Sequence, residues 1–319
     1  MHRVSRGISG HRTTGERRMD IAQELERLKK KHAAVILAHN YTTAEIQDVA
    51  DFVGDSLELS HKAALCRAPV IVFCGVRFMA ETAKILSPEA IVLHPNPHSG
   101  CPMAEMADFK AVKAYRLQNP DTVLVAYVNT TAATKTLVDI CCTSGNAEKI
   151  IASIPEDREI MFLPDANLGA NINRKLQRRM KLWSGFCPTH NRILPELIME
   201  AKTAHPKATV LVHPECLPAV VELADQALST GGMLKFVHES KESDFIIGTE
   251  SGILYRMRNE NPGKKFYSLS PEPVCPNMKK ITLEDVLFSL QELLPRIELD
   301  PEIIAKARLP IDRMLEVNP

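Results

Sequence analysis

The same landmarks occur three times along this chain of 319 residues, and that repetition limits what it can fold into. A buried-strand run ending in polar residues, Val35-Ile-Leu-Ala-His39-Asn-Tyr41, has counterparts in Val123-Leu-Val-Ala-Tyr127-Val-Asn129 and Val210-Leu-Val-His213-Pro-Glu215. Their first valines are 88 and 87 residues apart. A second apolar run follows in each case: Val70-Ile-Val-Phe, Ile160-Met-Phe-Leu and Phe245-Ile-Ile-Gly. Each set closes on a Cys-Pro dipeptide, at Cys101, Cys187 and Cys275, placed 66, 64 and 65 residues after its first valine. An α/β chain can match one such landmark by chance; three matched landmarks per unit argue for three related units.

Near-continuous apolar strands alternating with helical stretches read as small parallel sheets with helices on both faces. Helical stretches are expected over 45–64, 134–140, 147–154, 195–204 and 217–228, with a first helix over 20–31. The expected fold class is α/β, with three similar small α/β/α domains in a pseudo-threefold arrangement around a central site. Their bounds are 19–108, 109–194 and 195–299, with a C-terminal helix over 300–319 packing on the first. The basic segment 1–18 reads as a disordered extension. Ligands of parallel sheets bind beyond the carboxyl ends of the strands, where His39, Tyr41, Tyr127, Asn129, His213, Glu215 and the three cysteines fall.

Composition narrows the partners. There are 39 basic and 39 acidic side chains, so no bulk charge draws the protein to nucleic acid or to a membrane surface. No apolar run is long enough to span a bilayer. The eight cysteines lie in a long chain without a signal-peptide core, which points to a reducing cytoplasm rather than a disulfide framework. Five of them, Cys66, Cys74, Cys141, Cys142 and Cys216, lack the threefold spacing and read as small packing residues.

The three Cys-Pro cysteines are different. Three thiolates converging from equivalent positions would hold a cubane iron–sulfur cluster with one iron left free. A Cys₃His zinc site built from them with His190 stays open as a competitor. The proline stiffens the turn and biases the cysteine before it toward extended geometry. His39 with Tyr41, Tyr127 with Asn129, and His213 with Glu215 share an i, i+2 spacing that points side chains to one side of an extended chain. Such a set suits multi-step proton transfer. Ser56 interrupts a helical run, Ser144 precedes an expected helix and Thr230 follows one; small hydroxyls with free backbone donors at a helix start receive anions. Neither a P-loop nor a Rossmann glycine fingerprint is present.

Ordered segments across the chain from about Asp20 onward resemble the quinolinate synthase family: LAHNYTTAEIQDVADFVGDS, GVRFMAETAKIL, YVNTTAATKTLVDICCTSGNA, PDANLG, HPEC, STG, IGTESG and VCPNMKKITLEDV. The resemblance implies a [4Fe–4S] cluster, one per chain, on Cys101, Cys187 and Cys275. It implies condensation of iminosuccinate with dihydroxyacetone phosphate to quinolinate, in de novo NAD biosynthesis, with an iron that lacks a protein ligand acting as Lewis acid. Carried over by position, the substrate contacts are His39, Ser56, Tyr127, Val128, Asn129, Ser144, His213, Pro214, Glu215 and Thr230. The catalytic set is Tyr41, His39, His213 and Glu215, with His190 near the cluster. An L-aspartate-oxidising enzyme is implied as the source of iminosuccinate. Where some relatives carry Cys-x-x-Cys, this chain has Cys275-Pro-Asn-Met278, so a local disulfide switch is unavailable. Two other readings are a different iron–sulfur hydro-lyase on this scaffold and a metal-bearing binding protein.

Overall fold

The computed structural model describes residues 14–317, and its strands form three four-stranded parallel sheets of identical topology. In the first, β1 (Ala34–His39), β2 (Phe52–Gly54), β3 (Val70–Cys74) and β4 (Ile91–Leu93) pair in the order β2-β1-β3-β4. The second repeats this with β5 (Val123–Tyr127), β6 (Ile140–Cys142), β7 (Ile160–Leu163) and β8 (Lys181–Leu182). The third does so with β9 (Thr209–Val212), β10 (Gln226–Ala227), β11 (Asp244–Gly248) and β12 (Lys265–Ser268). Register follows the repeat: Val35 pairs with Ile71, Val123 with Ile160 and Val210 with Ile246. The architecture is three similar α/β/α units, as the spacing predicts.

The helices expected over 195–204 and 147–154 occur as Pro195–Ala204 and Ala147–Ser153. Those expected over 45–64, 134–140 and 217–228 do not run through. Each gives way to a short helix and then an edge strand: Ala44–Val49 before β2, Ala132–Lys135 before β6, Pro218–Leu223 before β10. The cause is an aspartate at the head of each edge strand. Asp51, Asp139 and Asp225 accept the backbone N–H of Ile36, Leu124 and Val210 at 2.8, 2.7 and 2.8 Å. Their own N–H groups donate to the carbonyls of the same three residues at 2.9, 3.0 and 3.0 Å. A hydrogen bond to a charged group contributes about 1.5–3 kcal/mol, more than the propensity that would extend a helix by one residue.

The Cys-Pro turns stand apart from the strands. Cys101 and Cys275 are reached by loops beyond β4 and β12, and Pro102 and Pro276 open the helix Pro102–Met106 and the 3₁₀ turn Pro276–Lys279. Proline's missing N–H goes unfelt at that first position.

The three sheets share one apolar core. Phe73, Phe162 and Phe245, one from each central pair of strands, are buried in a single cluster. A second cluster covers the outer face of the first sheet. There Leu25 and Leu28 of the helix Thr14–His32 meet Val286 and Leu290 of the helix Leu283–Glu292 over Ile36 and Val72. The stretch after Ile281, which the repeat spacing grouped with the third unit, therefore closes over the first. The last helix, Pro301–Glu316, bridges two units: Arg308 donates to the carbonyls of Ile85 and Leu86 at 3.3 and 3.1 Å, and Asn146 Nδ2 to that of Met314 at 3.1 Å. Of the extension expected over 1–18, the first 13 residues lie outside the described ones, and from Thr14 the chain is helical. No described helix is long and apolar enough to cross a membrane.

Candidate active site

The carboxyl ends of the three central strands face one cavity of about 360 Å³, within the range of small-molecule sites. His39, Tyr41, Ser56 and Cys101 reach it from the first unit, Tyr127, Asn129, Ser144 and Cys187 from the second, and His213, Glu215, Thr230 and Cys275 from the third. Val128 and Pro214 do not line it. The Val128 carbonyl accepts the Nζ of the buried Lys135 at 2.7 Å, and the Pro214 carbonyl accepts Asn171 Nδ2 at 2.9 Å.

Two histidines are held in one tautomer by their own backbone. Nδ1 of His39 accepts the N–H of Tyr41 at 3.1 Å, and Nδ1 of His213 accepts the N–H of Glu215 at 3.3 Å. With Nδ1 an acceptor, Nε2 carries the hydrogen, and His213 turns it toward Ser144 Oγ at 3.2 Å. Burial pushes both imidazoles down to about 3, with Lys279 adding to the effect at His39 and His190 at His213, against the pull of Glu215. Both are neutral donors at physiological pH.

A hydrogen-bond chain then links residues of all three units. Tyr41 Oη lies 2.6 Å from Thr249 Oγ1, which lies 2.8 Å from His190 Nε2. His190 Nδ1 lies 2.7 Å from Glu215 Oε2, and Tyr127 Oη donates to Glu215 Oε1 at 2.5 Å. Burial would raise the Glu215 carboxyl, but His213, His190 and the bonds from His190 and Tyr127 outweigh it and hold the group below the usual carboxylate range. Glu215 is thus a buried anion, and Nδ1–H of His190 donates to it. Burial raises the Tyr41 and Tyr127 phenols well above 10, so both stay protonated.

Cys101, Cys187 and Cys275 are part-exposed, as is Cys66, which does not line the cavity, whereas Cys74, Cys141, Cys142 and Cys216 are buried. Burial pushes the Cys101 thiol up to about 12 and raises that of Cys187, where Glu215 adds to the effect. Only a cationic centre would draw them into thiolate form. Among the described residues, Cys187, His190 and Glu215 are the group whose ligand atoms lie mutually within 4.8 Å. The three cysteines do not meet that limit, although a single zinc with Zn–S of about 2.3 Å would hold its sulfurs about 3.8 Å apart. The wall also carries an unused polar atom, the buried Oδ1 of Asn129, which has no protein partner.

Several groups here escaped sequence reasoning. Thr249 joins Tyr41 to His190, Glu250 is buried in the wall, and Arg192 brings the one lining cation among the described residues. Asp165 is buried behind the wall. Its Oδ1 caps the helix Ala166–Leu176 at Leu168 N, 2.9 Å away, and burial, then Glu215, raises its carboxyl well above the ordinary range. Thr249 and Glu250 follow β11 as Asn40 and Tyr41 follow β1, so strand-end position was a signal for them; nothing local marked Arg192.

The sequence model of the family described as Quinolinate synthetase A protein matches residues 23–316. Proteins called quinolinate synthase are similar throughout. That of Desulforudis audaxviator is 51% identical over 93% of this chain and 99% of its own length. Those of Geobacter metallireducens and Methanoregula boonei are 48% and 49% identical, over 93% and 92% of this chain and 97% of their own lengths.

Proposed function

Because the chain belongs to the quinolinate synthase family, whose enzymes serve NAD biosynthesis, we propose that it condenses iminosuccinate with dihydroxyacetone phosphate to quinolinate, releasing phosphate and two waters. Cys101, Cys187 and Cys275 would hold the [4Fe–4S] cluster of this enzyme. The observation that carries the reading is the meeting, on one cavity, of one part-exposed cysteine from each unit with a buried glutamate anion and two neutral histidines. When bound through three thiolates, such a cluster supplies a Lewis-acidic iron at its remaining corner.

The chain's own residues do the rest. His39 and His213 offer Nε2–H donors that orient substrate carboxylates. Ser56 and Thr230 open the helices Ser56–Leu65 and Thr230–Glu239, and Ser144 precedes Ala147–Ser153, so hydroxyls from three helix starts receive an anionic group. Asn129 Oδ1 accepts an N–H or O–H of the substrate. Val128 and Pro214 act through the backbone, keeping Tyr127 and Asn129, and His213 and Glu215, on one side. Glu215, as an anion, holds the Tyr127 phenol and His190 in place as proton donors to the substrate, and Tyr41 is linked through Thr249 to His190. The reaction takes place in the cytoplasm, with iminosuccinate supplied by an L-aspartate-oxidising enzyme.

Anaerobic reconstitution tests the reading: about four irons per chain are expected, with quinolinate formed from the two substrates. Replacing any of the three cysteines by serine should remove both iron and activity. Full activity of metal-free protein would overturn it. A single ion on Cys187, His190 and Glu215 is the second reading, favoured by their closeness; about one zinc and no iron would select it. His190 Nδ1 lies 2.7 Å from Glu215 Oε2 and 3.2 Å from Cys187 Sγ, contacts that account for that closeness without an ion.

A further inference from the structure

Two residues past β11, Glu250 is wholly buried in the cavity wall, and the proton chain does not use it. Its Oε1 accepts the backbone N–H of Cys275 at 3.1 Å, and its Oε2 that of Gly252 at 2.8 Å. Lys279 Nζ lies 2.9 Å from Oε1 and also donates to the backbone carbonyl of Tyr41 at 2.5 Å. Cys275 and Lys279 bracket the 3₁₀ turn Pro276–Lys279, so the carboxylate grips both ends of the turn that carries the third cysteine. The lysine extends that grip to the first unit, where Tyr41 stands.

The corner has no slack. A Cβ on Gly252 would sit 2.6 Å from Lys279 Nζ, 2.8 Å from Glu250 Oε2 and 2.8 Å from the Tyr41 carbonyl. Gln47 Nε2 closes it from the other side, on the carbonyls of Asn40, Thr42 and Gly252 at 3.2, 3.0 and 3.2 Å. A buried ion pair is costly unless its remaining donors and acceptors are used. Here both carboxylate oxygens hold a backbone N–H and the ammonium holds a backbone carbonyl. The second unit supplies a contrast. Asp165, two residues past β7, takes the matching place near the Cys187 N–H, but its Oδ2 is unpartnered and, among the described residues, no lysine joins it to a neighbouring unit.

We propose that Glu250 and Lys279 are positioning residues that set the Cys275 turn and Tyr41 together, so that the third cluster ligand and the phenol keep one separation across the boundary of the first and third units. The proposal rests on the reading of Cys275 as a cluster ligand. The pair acts through Cys275 and Tyr41.

The test compares anaerobically reconstituted wild type, Glu250→Gln, Lys279→Met and the double variant. Iron release to a ferrous chelator in excess is followed by absorbance, and kcat and KM are measured for both substrates. Each single variant should release iron about tenfold faster and lose about tenfold in kcat, while KM moves less than about threefold, the mark of misplaced groups that do not bind substrate. The double variant should be no worse than either single one, because the pair works as a unit. Lys279→Met keeps the test open should Glu250→Gln fail to fold, since Lys279 is 25% exposed. Loaded variants that match loaded wild type, or a double variant whose losses multiply, would overturn the proposal. A wild type that takes up no iron would instead overturn the cluster reading beneath it.

Discussion

Tyr127→Phe removes one oxygen and tests whether Glu215 is held as an anion. The phenol is the close donor to Glu215 Oε1, at 2.5 Å, and His213 Nδ1, 4.0 Å away, is itself an acceptor. Phenylalanine keeps the ring and leaves that oxygen buried without a donor. A hydrogen bond to a charged group contributes about 1.5–3 kcal/mol, and one pKa unit corresponds to about 1.4 kcal/mol. The Glu215 carboxyl should therefore rise by about one to two pKa units in the variant. Its folded value lies below the ordinary 4.5, so it contributes stability above that pH and loses it as the pH falls through the folded value. The variant narrows that gap, so the loss is full at neutral pH and shrinks in acid. Chemical denaturation of metal-free protein at pH 7, followed by fluorescence of the single tryptophan, Trp183, and by circular dichroism, would measure it. Tyr127→Phe should cost about 1.5–3 kcal/mol beside Glu215 but only about 0.5–1.5 kcal/mol in a Glu215→Gln background. Equal costs in the two backgrounds would refute the reasoning, because a bond to a neutral acceptor does not distinguish them.

Asp225→Ala should lower stability by about 1.5–3 kcal/mol in the same denaturation assay, since it removes the carboxylate that pins the edge strand to Val210. His213→Asn should flatten the fall of stability between pH 6.5 and 5. With a folded value of about 3 against 6.5, the unfolded chain binds the extra proton in that window, so wild-type stability falls there as pH drops. Gly185→Ala places a Cβ 2.5 Å from the Pro164 carbonyl, backbone that cannot swing aside, two residues before Cys187. It should cost about 1–3 kcal/mol and lower the iron retained after reconstitution, read by denaturation and by iron analysis.

Much of this was legible along the chain. The valine-led runs became the central strands because four or five apolar residues in a row can be satisfied only between helices. Parallel strands put all their carboxyl ends on one edge, so His39, Tyr127 and His213 had to share a side once the repeats were aligned. The edge strands were not legible. β2, β6 and β10 are two or three residues long, and they exist because Asp51, Asp139 and Asp225 reach a neighbouring strand rather than because of their own pattern. An eye for spacing could have found those aspartates, since they stand 88 and 86 residues apart.

The amino-acid sequence alone determined the number of units, the order of their strands' residues and the identity of the three cysteines that stand at equivalent points. Those are properties of one segment at a time, repeated. What only the tertiary structure decided is who meets whom across the units: Tyr41 with Thr249, His190 and Tyr127 with Glu215, Lys279 with the Tyr41 carbonyl. These partners are 25 to 238 residues apart. Their pairing depends on how three docked sheets turn their edges toward one another, and hydrophobic periodicity, which reports only whether a face is buried, carries no record of that rotation.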